Sequence, residues 1–306
     1  MIIIKDIVIL LVSIIVIGKG AVWLVDAAAR VAKHFGISEL VIGLTVVAFG
    51  TSAPEFGVTI LAAIRGMGDI SVGNIVGSNI FNLGFILGGT AIIHSLKTSR
   101  TIVFRDGFFL LFGGILLSVF LWDLTLSKIE GIVLFTLLVL YLLYLYFKKE
   151  TIETEEPTHA MYRWDPILLF VGIGLVIVGS HFLVESAVSI ARFMGVSDWV
   201  IGATIIAAGT SAPEFATSLT AAMKSRYGMS VGNLIGSDIF NLFGVLGVAG
   251  MMRNLSVGHD AQINLIILSF MIAVVLIFMR TGWVVSRKEG IILVMIGLSR
   301  WIYSFS

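Results

Sequence analysis

Two glutamates, Glu55 and Glu214, stand inside otherwise apolar stretches, each closing a Gly-Thr-Ser-Ala-Pro-Glu block at 50–55 and again at 209–214. A carboxylate at mid-bilayer depth costs about 2.5–3.5 kcal/mol on insertion scales, so such residues mark ion paths or proton relays. The proline before each glutamate lacks an N–H and clashes with the carbonyl four residues back, Gly50 in the first block. The helix is expected to break there and free carbonyls around Thr51 and Thr210. Freed carbonyls at membrane depth persist only inside protein or beside a water-filled cavity, and a bound cation would satisfy them. A polar stripe follows each block: Asn74, Ser78 and Asn82, then Asn233, Ser237 and Asn241. Spacing of four puts each trio on one helix face. Such a stripe either glues helices together or lines an ion site, and the neighbouring glutamates favour the ion site.

The donors are hard oxygens. Glu55 and Glu214 offer carboxylates, the Thr51 and Thr210 regions offer carbonyls, and Asn82 and Asn241 offer amides. With water this makes about six to eight ligands, the shell Ca²⁺ takes at about 2.3–2.6 Å. Two carboxylates also match a charge of +2. The chain has no cysteine, and its five histidines are not repeated in register, which argues against Zn²⁺ or Cu⁺. The ion is expected as cargo; no permanently bound cofactor is implied.

What positions these residues follows from composition. The chain has 306 residues, 58% hydrophobic and 13% charged, where soluble domains run about 45–50% and 25%. That excludes a soluble enzyme and a disordered chain. A net charge of +1 points to no nucleic acid, and nothing suggests an obligate protein partner; the partner is the lipid bilayer. Ten apolar segments are long enough to cross it, near 7–33, 40–63, 70–94, 106–122, 129–147, 166–192, 199–223, 229–252, 262–280 and 288–304. The expected fold is an all-α polytopic membrane protein. A polar linker at 148–165 separates five segments in 1–147 from five in 166–306. Loop lysines and arginines number six on the side of the termini and thirteen on the linker side. The positive-inside bias therefore puts the linker in the cytoplasm and both termini outside a cell membrane.

The halves are copies. Residues 41–56 and 200–215 are identical at 12 of 16 positions, and residues 71–83 and 230–242 at 10 of 13, both at an offset of 159. Asp26 and Glu185 echo each other at the same offset. Five spans per copy is an odd number, so the second copy enters the membrane inverted. Inverted repeats place a site near the midplane between equivalent elements, with access alternating between the two sides. The first and sixth spans, rich in glycine at Gly18, Gly20, Gly172, Gly174 and Gly179, are expected to slide over the two cores.

The GTSAPE and GN-x-x-GS-x-IFN blocks, each present twice, resemble the alpha-repeats of the calcium/cation antiporter superfamily, which includes Na⁺/Ca²⁺ and H⁺/Ca²⁺ exchangers. The prokaryotic-type layout extends the resemblance over essentially the whole chain. It implies that Glu55, Glu214 and the carbonyls of Thr51 and Thr210 bind Ca²⁺. It further implies that Ser52, Ser78, Ser211 and Ser237 help hold counter-ions, with Asn82 and Asn241 flanking the centre. Some relatives carry aspartate where this chain has Asn241, and the GNA-x-E pattern of the H⁺/Ca²⁺ branch is absent. Asp238 stands off the Ser237–Asn241 stripe and is expected to face a neighbouring helix. Burial and mutual repulsion favour proton uptake by an empty glutamate pair. The expected activity is therefore Ca²⁺/H⁺ antiport, with Na⁺ as the alternative counter-ion and a Ca²⁺ channel as a more remote one. Ser52 and Ser211 lack a nucleophile-elbow setting, so no enzyme is expected.

Overall fold

The computed structural model describes residues 2–148, 160–196, 201, 205 and 207–305. Residues 149–159 of the expected linker, and 199, 200, 202–204 and 206 of the expected seventh segment, lie outside the described residues. The first half begins with α1 (Ile2–Phe35), α2 (Glu39–Thr51) and α3 (Ala53–Ile64). It continues with α4 (Gly68–Ile93), α5 (Ile102–Asp123) and α6 (Lys128–Phe147). The second half holds α7 (Asp165–Phe193), α8 (Ala207–Thr210), α9 (Ala212–Met223), α10 (Tyr227–Met252), α11 (His259–Arg280) and α12 (Arg287–Phe305). Among the described residues, seven helices are long and apolar enough to cross a membrane, and eight if the bent pair α2–α3 is one span. The two expected spans outside that count are the segment holding α8 and α9 and the last one. Helix α12 is 19 residues long and carries Arg287, Lys288, Glu289 and Arg300.

Local sequence sets the helix boundaries. Ser127 caps α6 and its backbone N–H donates to Glu130 Oε2 at 2.7 Å. Ser286 and Glu289 repeat the reciprocal cap before α12, again at 2.7 Å. Each box satisfies backbone donors that a helix start leaves open. Four two-residue strands tie the halves together: β1 (Leu96–Lys97) pairs antiparallel with β4 (Val284–Val285), and β2 (Thr125–Leu126) with β3 (Leu255–Ser256). The 159-residue offset maps one pair onto the other.

Helices α4 and α10 form the centre. Their apolar windows are 72% and 83% buried, against 28% for α1, α6 and α7. The main core joins Ile75, Ile80 and Leu83 of α4 to Leu234, Ile239, Leu242 and Phe243 of α10, with α5, α6 and α11 around them. Helix α12 meets α4 backbone to backbone: a Cβ on Gly88 would lie 2.8 Å from the Gly290 carbonyl. Gly131 of α6 and Gly247 of α10 repeat that contact at 2.8 Å. Without a hydrophobic drive between helices in lipid, such close approach supplies the packing that holds them.

Helix α1 crosses α7 through Gly20 and Gly172; a Cβ on Gly172 would lie 2.8 Å from Leu24 N. Gly179 sits against Ile17 in the same crossing, whereas Gly18 and Gly174 face open space. These glycines therefore join the two peripheral helices to each other rather than to the cores. Helix α7 touches the broken helices through Ile173 at Gly50 and through Val184 at Gly209.

Candidate functional site

Helix α2 ends at Thr51 and α3 begins at Ala53, bent by 52°. Ser52 at the joint has φ −80° and ψ 9°, and Ser211 between α8 and α9 has φ −91° and ψ 10°. The break falls two residues beyond Gly50 because Pro54 and Pro213 occupy the first turn of the new helix, where a missing N–H costs nothing. Glu55 and Glu214 then stand in the first turns of α3 and α9. There the positive end of each 12-residue helix favours an anion.

Each carboxylate reaches into the other half. Ser211 donates to Glu55 Oε1 at 3.0 Å, and Ser52 donates to Glu214 Oε1 at 3.0 Å. Each serine lies three residues before the glutamate of its own half, so this exchange sets the two carboxyl groups side by side. Ser78 stands near Glu55, and Ser237 and Thr51 stand near Glu214. Thr51 also donates to Asn233 Oδ1 at 3.2 Å. Thr210 ends α8 at the second break. Both glutamates and Ser52, Ser211, Ser237 and Asn241 are fully buried.

The upper ends of the polar stripes have a structural task. Asn74 donates to the Glu55 carbonyl at 3.3 Å and to Thr59 Oγ1 at 3.0 Å. Asn233 donates to the Glu214 carbonyl at 3.4 Å and to Ser218 Oγ at 2.9 Å. They pin each glutamate-bearing helix to its central neighbour. The lower ends enter the site at a change of helix type. A π-helical turn runs over Asn82–Leu87 in α4 and another over Phe240–Val245 in α10. Such single wide turns recur at functional sites.

Asp238 faces α4, the helix that carries Asn82. Asn82 Nδ2 donates to Asp238 Oδ1 at 2.9 Å, and Asn79 Nδ2 donates to the Asp238 carbonyl at 3.0 Å. Sequence reasoning left Asp238 outside the site. The available signal was the lone Asn-to-Asp difference between Asn79 and Asp238 in matching blocks. Among the described residues, five buried oxygens are left without a hydrogen-bond partner in this centre: Glu55 Oε2, Glu214 Oε2, Asp238 Oδ2, Asn82 Oδ1 and Asn241 Oδ1. All are acceptors. Buried acceptors without donors are costly, and a metal cation satisfies several at once.

The two sides of this centre differ. A crevice of about 810 Å³ separates α3 from α7, lined by Pro54, Val58, Val178, His181 and Val184 and reaching Thr210. His181 is 74% exposed there and lies 4.0 Å from Glu185. On the opposite side α1 packs against α9, where Ile17 and Ala21 meet Ala216. Ion pairs tie that side. Arg30 holds Asp165 with two hydrogen bonds, 2.7 and 2.9 Å, Lys224 reaches Asp26 at 2.6 Å, and Arg226 pairs with Glu39.

Comparison with known proteins gives a consistent picture. The family described as "Sodium/calcium exchanger protein" matches residues 5–147 and again 164–296. The chain is 32% identical to the sodium/calcium exchanger MaX1 of Methanosarcina acetivorans, covering 94% of this chain and 95% of that protein. It is 34% identical to the inner membrane protein YrbG of Escherichia coli, covering 79% and 78%. Its structure is similar to that of the sodium-calcium exchanger NCX_Mj soaked without Na⁺ and Ca²⁺, with a TM-score of 0.88, 31% identity, and coverage of 99% and 100%.

Proposed function

Because this chain belongs to the sodium/calcium exchanger protein family, we propose that it is a secondary antiporter carrying Ca²⁺ against a monovalent cation at the Glu55/Glu214 site. The observation that carries this reading is the crosswise Ser–Glu pairing, which leaves one partnerless buried oxygen on each glutamate. Ca²⁺ would take Glu55 Oε2 and Glu214 Oε2, the amide oxygens of Asn82 and Asn241, and carbonyls at Thr51 and Thr210, the hard-oxygen shell it favours.

The counter-ion we propose is Na⁺. Two protons would neutralise the glutamates as well as Ca²⁺ does, but they make no use of the Asn82 and Asn241 oxygens or the ring of Ser52, Ser78, Ser211 and Ser237. A metal cation uses all of them. The names of MaX1 and NCX_Mj point the same way. The deciding experiment is ⁴⁵Ca²⁺ uptake into proteoliposomes under an outward Na⁺ or an outward H⁺ gradient at fixed membrane potential. Uptake driven by Na⁺ alone is expected. Uptake driven by H⁺ alone would return the two-proton scheme, and uptake with no opposing gradient would make the protein a channel.

The ten-span, inverted-repeat arrangement is part of this proposal. The offset-related strand pairs, capping boxes and glycine contacts support it, with domains at 1–147 and 166–306 joined by the 148–165 linker. With the linker in the cytoplasm and both termini outside, the crevice between α3 and α7 opens outward. The Asp26–Lys224 pair then closes the inner side. The 159-residue offset maps Asp26 onto Glu185 and Lys224 onto Arg65. Both mapped residues are exposed and are not paired with each other. We infer that the two pairs alternate: Glu185–Arg65 closes the outside when Asp26–Lys224 opens. Half-exposed pairs contribute about 0.2–1 kcal/mol, so Lys224→Gln should raise inner-side accessibility about 1.4- to fivefold, and Arg65→Gln should lower it. The naturally cysteine-free chain allows a clean readout by thiol labelling of Ala216→Cys with an impermeant reagent. Equal labelling in all backgrounds would rule the latch out.

A further inference from the structure

Asn82 and Asn241 meet the site through amides, and an amide has two unlike arms. The oxygen binds a cation; the NH₂ repels it. Which arm faces the ion depends on what engages the other. Asn82 Nδ2 donates to Asp238 Oδ1 at 2.9 Å, and Asn241 Nδ2 donates to Asn79 Oδ1 at 3.1 Å. The acceptors Asn79 and Asp238 are fully buried and equivalent at the 159-residue offset. Asn79 cannot rotate freely, because its own NH₂ donates to the Asp238 carbonyl at 3.0 Å. Its oxygen is therefore turned to Asn241. Asp238 has an oxygen on both arms and accepts from Asn82 in either rotation. With both NH₂ groups engaged, Asn82 Oδ1 and Asn241 Oδ1 are the arms left over, buried and without partner.

We propose that Asp238 and Asn79 are positioning residues that lock the amides of Asn82 and Asn241 with their oxygens toward the transported cation. This rests on the exchanger reading above. Flipping either amide would press two acceptor oxygens together and offer an NH₂ to the ion. One hydrogen-bond acceptor in each half thus decides the polarity of a ligand by holding that ligand's NH₂. The halves are unequal: a carboxyl group holds Asn82 and an amide holds Asn241.

The test is ⁴⁵Ca²⁺/Ca²⁺ self-exchange by the full chain in proteoliposomes, which needs no counter-ion, read as KM and maximal rate. Asp238→Leu removes the acceptor. Asp238→Asn keeps an oxygen in place and supplies an NH₂ for the facing helix, as Asn79 already does. Loss of an outer partner of a metal ligand typically costs about 10- to 100-fold in affinity. Asp238→Leu should therefore raise the KM for Ca²⁺ about tenfold or more, and Asp238→Asn should restore it to within about threefold of the unaltered protein. Asn79→Leu should raise KM in the same direction, and it carries the test alone if Asp238→Leu does not fold. A KM unchanged in the leucine variants overturns the proposal. So does an Asp238→Asn variant as impaired as Asp238→Leu, which would make the charge itself the requirement. An unaltered protein without self-exchange would instead overturn the exchanger reading, and this inference with it.

Discussion

Glutamine at position 55 or 214 stops Ca²⁺ exchange and leaves a folded protein. Each glutamate already spends one oxygen on a serine of the other half, Glu55 on Ser211 and Glu214 on Ser52. A glutamine oxygen can accept that same bond. The second arm changes from a partnerless oxygen to an NH₂, which faces the cation with the wrong polarity and removes half the charge that balances Ca²⁺. Breaking a buried charge pairing costs about 3–5 kcal/mol, so self-exchange should fall at least about a hundredfold in Glu55→Gln and equally in Glu214→Gln. The apo protein should be no less stable in thermal unfolding, because a buried anion has been replaced by a neutral donor among orphaned acceptors. Full exchange by either variant would remove the pair from the cation site. Lost exchange together with a collapsed unfolding transition would make the pair structural.

Alanine at Gly209 or Gly50 should separate binding from turnover. Both glycines lie under α7 just before a helix break. A Cβ on Gly209 would fall 2.1 Å from Val184 Cγ2, and one on Gly50 would fall 2.5 Å from Ile173 Cδ1. Valine and isoleucine are stiff at χ1 and give way poorly. If α7 passes over these joints as access alternates, the added methyl becomes an obstacle on its path. Overpacking costs about 1–3 kcal/mol, so turnover should drop about tenfold or more while Ca²⁺-induced thermal stabilisation persists. Gly174→Ala is the matched control, because a Cβ there meets nothing within 4 Å. Equal turnover in all three variants would remove α7 from the moving parts.

Much of this protein is legible in one dimension because its chemistry is expensive. A carboxylate in an apolar segment cannot be accidental, and a proline inside a membrane helix breaks it wherever it falls. Repetition at a constant offset adds the second copy of every inference. That is why Glu55, Glu214, the serines beside them and the broken helices could be singled out from the chain alone. The break itself was displaced from Gly50 to Ser52, since proline is tolerated in a first helical turn and the chain restarts a helix around it. Composition gave the membrane class, and the repeated blocks gave the family resemblance. The Ser-x-x-Glu caps at Ser127 and Ser286 were equally legible, being local and reciprocal.

Contacts between the halves were not legible, because periodicity reports which face a residue occupies and not what stands opposite. The crosswise Ser–Glu bonds, the partnership of Gly20 with Gly172 rather than with the cores, and the pairing of Asn82 with Asp238 all join residues more than 150 positions apart. Nor could the chain reveal the π-helical turns at Asn82 and Phe240, which carry no proline or other local marker. The sequence determined which groups are too costly to bury without a purpose. Only the tertiary structure decided how they meet, because an amide's polarity, a carboxylate's free oxygen and the side on which a crevice opens are set by neighbours from the other half of the chain.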